Sequence, residues 1–242
     1  MGMTAITARQ WFATPLGQYV VEHEFLYFDQ AVANIFGYNA MQLGMPYCDF
    51  LRMNRMPLRF TAGTECDNAM KATCDHLPIA GDTIDLVIVP HVLEFNKNPH
   101  QILREVYRVL IPEGHVVISG FNPLSLWGVH NFFVSEQEEF PWNGDFIALP
   151  RLKDWLKLFN FEMKGGKLCC YTPPFRQDNW RQRFRFMEDA GDRWWPISGG
   201  VYFLHAVKHK YGMRVIKPSW KSSLAGKKKI AAATQRTKQR NS

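Results

Sequence analysis

Residues 84–121 read IDLVIVPHVLEFNKNPHQILREVYRVLIPEGHVVISGF. The opening IDLVIVP (84–90) is an unbroken aliphatic run, the pattern of a parallel strand buried on both faces. Asn98-Pro99 then joins a capping side chain to a proline suited to the first helical turn. The helix it opens sets Ile102, Leu103, Val106, Val109 and Leu110 on one face and Gln101, Arg104, Glu105 and Arg108 on the other. Pro112 and Gly114 stop it, and HVVISGF (115–121) is the next strand. Strand, helix and strand at this spacing make a βαβ unit. The expected fold is therefore α/β: a doubly wound, Rossmann-like, mostly parallel sheet with helices on both faces.

Working outward, Thr14-Pro15 begins a helical pattern (Leu16, Tyr19, Val20, Leu26, Phe28, Val32, Ile35) that Gly37 closes. A strand at 40–44, a helix at 47–55 cut off by Pro57, and strands at 58–63 and 71–78 follow. Downstream, FNPLSLWGVHNFF (121–133) is a loop and short helix, and 152–159 is an amphipathic helix. FEMKGGKLCCYTPPF and GGVYFLHAVKHKYG supply a late antiparallel strand pair. Between them, 177–195 carries Trp180, Phe184 and Met187 on one helical stripe amid Arg181, Arg183 and Arg185. The expected organisation is a helical segment over 1–38, a cofactor-binding half over 39–121, a substrate-side half over 122–216 and a disordered basic tail over 217–242.

The net charge of +7 over 242 residues resides in that tail. From Lys217 onward there are eight Lys/Arg and no acid, leaving 21 basic against 22 acidic groups elsewhere, a net of −1. The tail could touch nucleic acid or an anionic surface through its charge, but the body has no basic excess to support a nucleic-acid face. Five cysteines without CxxC or Cys/His ligand spacing imply reduced thiols and no metal site. Cys169 and Cys170 read as small apolar strand residues. No signal-like start and no 18-residue apolar run are present, which gives the expectation of a cytoplasmic protein.

The block CDHLP (74–78), Ile84-Asp85, HVLEF (91–95), LREVYRVL (103–110) and IPEG (111–114) resembles the class I S-adenosylmethionine-dependent methyltransferases. More narrowly it is similar to the type 11 (UbiE-like) domain, whose pattern there is HVLEH and LREVxRVLKPGG. FNPLSLWG and TPLGQY resemble the bacterial YafS-like branch of that superfamily. The resemblance implies S-adenosyl-L-methionine as cofactor and a small, partly hydrophobic acceptor methylated at O, N or C. By resemblance, Leu43, Gly44 and Met45 form the loop at the cofactor's amino-acid end, and Glu65 is the nearest candidate to hold the ribose hydroxyls. Asp75 would accept from the adenine amino group, His76 and Leu77 would offer backbone contacts to the ring, and Pro90 and His91 would lie at the cofactor's edge.

The loop MQLGMPYCD (41–49) departs from the family pattern. Gln42 stands where an acid is common, Met45-Pro46 replaces a small residue plus glycine, and only 31 residues separate Gly44 from Asp75. His91, at the carboxyl end of the buried strand, is a candidate general base because an imidazole titrates near neutral pH. On the acceptor side the candidates are Asn122, Trp127, Phe132 and Phe133. Two readings stay open: a methyltransferase, or a methyltransferase-fold protein that has lost its cofactor and serves as a binding or scaffold module. A nucleic-acid methyltransferase guided by the tail is a weaker third.

Overall fold

The structure, a computed structural model, describes residues 7–133, 140–174, 188 and 197–209. The aromatic and arginine stretch over 177–195, apart from Glu188, and the tail from 217 lie outside the described residues.

Seven strands form one sheet in the order β3-β2-β1-β4-β5-β7-β6. They are β1 (Asn39–Leu43), β2 (Leu58–Gly63), β3 (Met70–Lys71), β4 (Ile84–Pro90), β5 (Leu110–Phe121), β6 (Phe161–Cys169) and β7 (Val201–Lys208). The first five run parallel, and β7 is antiparallel to both β5 and β6, as the late strand pair anticipated. Strand β4 sits between β1 and β5 with five consecutive residues (86–90) buried, which is why its sequence shows no alternation.

Each face of the sheet has its own core. On one, α1 (Ala8–Phe12) and α2 (Pro15–Ala33) bury Trp11, Phe12, Val20 and Phe28 against Leu86, Ile88, Val117 and Phe203. On the other, α3 (Pro99–Val109) and α5 (Leu149–Leu158) bury Ile102, Val106, Leu152 and Leu156 against Val87, Val89, Val116 and Leu204. Between them, α4 (Leu126–Phe133) follows β5 and inserts Trp127 into the first core, stacked on Phe121. Thr14 separates α1 from α2 by capping the second helix through a hydrogen bond from the Gly17 N–H.

Four local expectations are corrected. The segment 47–55 is a run of turns with no helix, because the backbone bonds side chains instead: Leu51 N–H donates to Asp49, Phe50 N–H to Gln42 and Met56 N–H to Asn54. The strand expected over 71–78 shrinks to Met70–Lys71 and is followed by a turn closed by a Thr73–His76 bridge. Strand β5 begins at Leu110, earlier than the expected 115, so the helix passes into the strand without an intervening loop. Leu26, placed on the apolar stripe of α2, is 63% exposed.

Candidate cofactor site

In an open parallel sheet, ligands collect beyond the carboxyl ends of the strands where the order reverses, here between β1 and β4. A cavity of about 630 Å³ opens there. Among the expected cofactor residues, Gly44, Met45, Glu65, Asp75, Pro90 and His91 line it. Leu43, His76 and Leu77 do not. Leu43 is fully buried in the α3-side core. The N–H groups of His76 and Leu77 are both committed, His76 to the Thr73 carbonyl and Leu77 to the Glu105 carboxylate. Arg108 completes that clamp by donating to the Leu77 and Ile79 carbonyls and to Glu105.

The loop after β1 is organised by Gln42. Its buried amide nitrogen lies 3.1, 2.9 and 2.8 Å from the carbonyls of Gly44, Met45 and Cys48, and its oxygen accepts from the Phe50 N–H at 3.0 Å. Two N–H bonds shared among three carbonyls turn the loop around an amide, a geometry a carboxylate would oppose. Gly44 has φ +68°, and a Cβ there would approach Val92 Cγ2 to 3.1 Å. Gly44→Val is therefore expected to cost about 1–3 kcal/mol through backbone strain. It should also abolish the stabilisation that S-adenosylhomocysteine gives in a thermal-shift assay, and an undiminished ligand shift would remove the loop from the site.

Two carboxylates face the cavity. Asp75 is held below the usual range by a hydrogen bond from Thr73 and by His76, whose Nδ1 lies 3.3 Å away. Partial burial raises Glu65, beyond the end of β2, with Asp67 adding to the effect against the pull of Arg9. Arg9 pairs with Asp67 at 2.7 Å and tethers α1, whose Ala8 and Phe12 close another side of the cavity. Among the lining residues that sequence reasoning missed are Tyr47 and Asn68. Their Oη and Oδ1 are buried and have no hydrogen-bond partner among the described residues.

At the floor, His91 is 3% exposed with φ +50°. Its Nδ1 lies 2.9 Å from Glu94 and its Nε2 3.1 Å from Glu24 of α2, the latter an ion-pair contact without an aligned hydrogen bond. Glu24 also accepts from Ser119 at 2.6 Å, and Glu94 from the Phe121 N–H. Burial alone would push the imidazole down, but Glu24 and Glu94 on either side override it and raise it to about 10. Burial raises Glu94 too, opposed by His91. Two flanking carboxylates favour the protonated imidazole, so the geometry supports His91 as a cation holding Glu24 and Glu94 more than as the expected general base. Glu24 was legible as an anomaly, a carboxylate between Val20 and Phe28 at i+4 spacing on a buried helical stripe.

On the acceptor side, Asn122 is consumed by structure. It donates to the Ile197 and Gly199 carbonyls and accepts from the Leu124 N–H. Trp127 is fully buried, with its indole N–H on the Thr172 carbonyl. Neither lines a cavity as a free group. Phe132 and Phe133 do line one, next to the first.

The strand order and the ligand-end cavity together match a known fold. The chain has the fold of the S-adenosylmethionine-dependent methyltransferases. Residues 51–118 match the type 11 family model described as a methyltransferase domain. An S-adenosylmethionine-dependent methyltransferase from Thermotoga maritima superposes with a TM-score of 0.58 at 17% identity, over 83% of this chain and 94% of that one. The [4+2]-cyclase SpnF gives 0.56 at 14% identity, over 80% and 82%. In sequence, the Escherichia coli (strain K12) protein YafS, described as uncharacterized, is 42% identical over 88 residues. That stretch covers 36% of this chain and 37% of YafS. The methyltransferase domain match spans β2 through most of β5 and ends before α4, α5 and the antiparallel strands on the acceptor side.

Proposed function

We propose that the protein is an S-adenosylmethionine-dependent methyltransferase acting at an O, N or C atom of a small, partly hydrophobic acceptor. The observation that carries this reading is the cavity at the β1–β4 reversal, which gathers a left-handed glycine, two carboxylates and two unpartnered buried polar atoms. These residues fit the cofactor. The Gly44–Met45 backbone would meet its amino-acid end, Glu65 would take the ribose hydroxyls with Asn68 beside it, and Asp75 would accept from the adenine amino group. A cavity of this volume suits a ligand of that size. The bound cofactor supplies a sulfonium methyl: the acceptor–carbon bond forms as the sulfur–carbon bond breaks, sulfur keeps the electron pair, and an O–H or N–H acceptor releases a proton.

The chain's own work is to align the two molecules and keep water away. Phe12, Phe95 and Phe140 wall the cavity, and the buried Glu24–His91–Glu94 cluster fixes its floor. His91 acts there as a positioning residue. Among the described residues no helix is long and apolar enough to cross a membrane, in keeping with a small-molecule enzyme free of the bilayer.

The test is calorimetric titration of the ligand-stripped protein with S-adenosylmethionine and S-adenosylhomocysteine. Saturable binding with a Kd on the order of micromolar is expected, and Asp75→Ala should weaken it by about tenfold, the worth of one hydrogen bond to a charged group. No heat at millimolar ligand would overturn the reading. It would favour the scaffold alternative, which one feature supports: Gln42 draws three loop carbonyls inward, a rebuilt version of the glycine loop. The fold alone does not choose between them, since one similar structure is named a cyclase.

A further inference from the structure

The second cavity, about 920 Å³, shares Asn96 and Lys97 with the first. Its walls are of two kinds. One is apolar and aromatic: Phe132 and Phe133 of α4 are 83% and 77% exposed, apolar surface of the kind that marks a binding site. The other is cationic. Arg151, in the first turn of α5, lies over the Trp155 ring at 5.1 Å from its centroid, and His100 packs on the same ring at 4.0 Å. Neither Lys97 nor Arg151 has an ion-pair partner among the described residues. Asp145 is the one carboxylate among the described residues of these walls.

We propose that this cavity takes the acceptor, and that the acceptor is an amphipathic anion: an aromatic or aliphatic body carrying a carboxylate or a phosphate. The proposal rests on the methyltransferase reading and goes beyond it by naming the charge. A guanidinium lying against an indole is held in plane and presents its N–H fork sideways, the geometry that grips a planar carboxylate or a phosphate through two parallel bonds. Lys97 adds a second positive charge in the wall common to both cavities, so the anion is drawn to the side where the cofactor cavity begins. The aromatic walls bury the body. Among the described lining residues a cationic acceptor would meet two like charges against the carboxylate of Asp145, whereas an anion pairs with both cations.

The experiment uses the full chain and two matched series: indole-3-acetate, indole-3-acetamide and tryptamine, then octanoate, octanamide and octylamine. Dissociation constants are measured by calorimetry with and without saturating S-adenosylhomocysteine. The acid of at least one series should bind about tenfold or more tighter than its amide and its amine, the ratio expected for a charge-assisted pair. Arg151→Gln and Lys97→Gln should each reduce that ratio, and Arg151→Gln, at a residue outside the cofactor cavity, should leave S-adenosylhomocysteine binding unchanged. Equal or undetectable binding of acid, amide and amine in both series overturns the proposal, as does an acid preference that survives both substitutions. The S-adenosylhomocysteine titration separates the two failures. An acid preference without homocysteine binding retires the methyltransferase reading and keeps an anion site, whereas homocysteine binding without a charge preference retires only this inference.

Discussion

His91→Ala should destabilise the folded protein by about 3–5 kcal/mol, the cost of removing one partner from a buried ion pair. The imidazole separates Glu24 and Glu94, both almost wholly buried, and without it two carboxylates share a pocket with no cation. The pH dependence has a defined sign. The imidazole is raised from its ordinary value near 6.5 to about 10, so its contribution is fully present below about pH 6.5 and is lost as pH rises through about 10. Glu94 is also raised, chiefly by burial, and its linkage runs in the same direction. Urea denaturation at about pH 6, 8 and 10 should show the wild-type protein losing stability most between pH 8 and 10, where the variant has no imidazole left to deprotonate and its unpaired carboxylates, raised by burial, have already lost their protons at lower pH. A loss under about 1 kcal/mol, or a wild-type stability flat across the window, would mean that the cluster is not the charged pair its geometry describes.

The cofactor half of the fold was legible because its signals are local. A strand buried on both faces writes itself as an aliphatic run, and α3 writes itself as a cap, a proline and a 3.6-residue stripe. The segments at 47–55 and 71–78 were misread because distant side chains hold them. Gln42 takes the carbonyls of the first, and Glu105 with Arg108 takes the backbone of the second; the sequence placed both of those on the solvent face of their helix. The site follows the same division. Gly44, Glu65, Asp75, Pro90 and His91, named from the family resemblance, all line the cavity. Tyr47 and Asn68 could not be named, because a loop tyrosine or asparagine carries no periodic signal and only the folded chain shows its polar atom buried and unpartnered. The setting of His91 was only half legible, for a third reason. The i,i+3 pair with Glu94 is visible in HVLE, but the second carboxylate comes from α2, 67 residues earlier.

Gln42→Glu tests whether the rebuilt loop depends on an amide. The substitution restores the acid common in the resembling family at this position, so a reading from resemblance alone would expect it to be harmless or to improve cofactor binding. The structure requires the opposite. Two N–H bonds would be lost, and a carboxylate oxygen would stand about 3 Å from the carbonyls of Gly44, Met45 and Cys48 in a fully buried setting. Leaving buried carbonyls unsatisfied costs about 1–3 kcal/mol each, and a buried charge facing them adds to it, for a total of about 3–5 kcal/mol. Only the bond from the Phe50 N–H survives, because a carboxylate still accepts. The introduced acid is disfavoured in its charged form, so its pKa rises on folding and the defect should be smallest at acid pH and grow as pH rises. Chemical denaturation of Q42E at about pH 5 and pH 8 reads this directly, and the loss should be larger at the higher pH by at least about 1 kcal/mol. S-adenosylhomocysteine affinity should fall in parallel, since the Gly44–Met45 backbone is the part of the cavity that Gln42 holds. A variant as stable as wild type, binding the ligand equally well, would mean that the loop reorganises around an acid, and the departure at position 42 would then carry no structural weight.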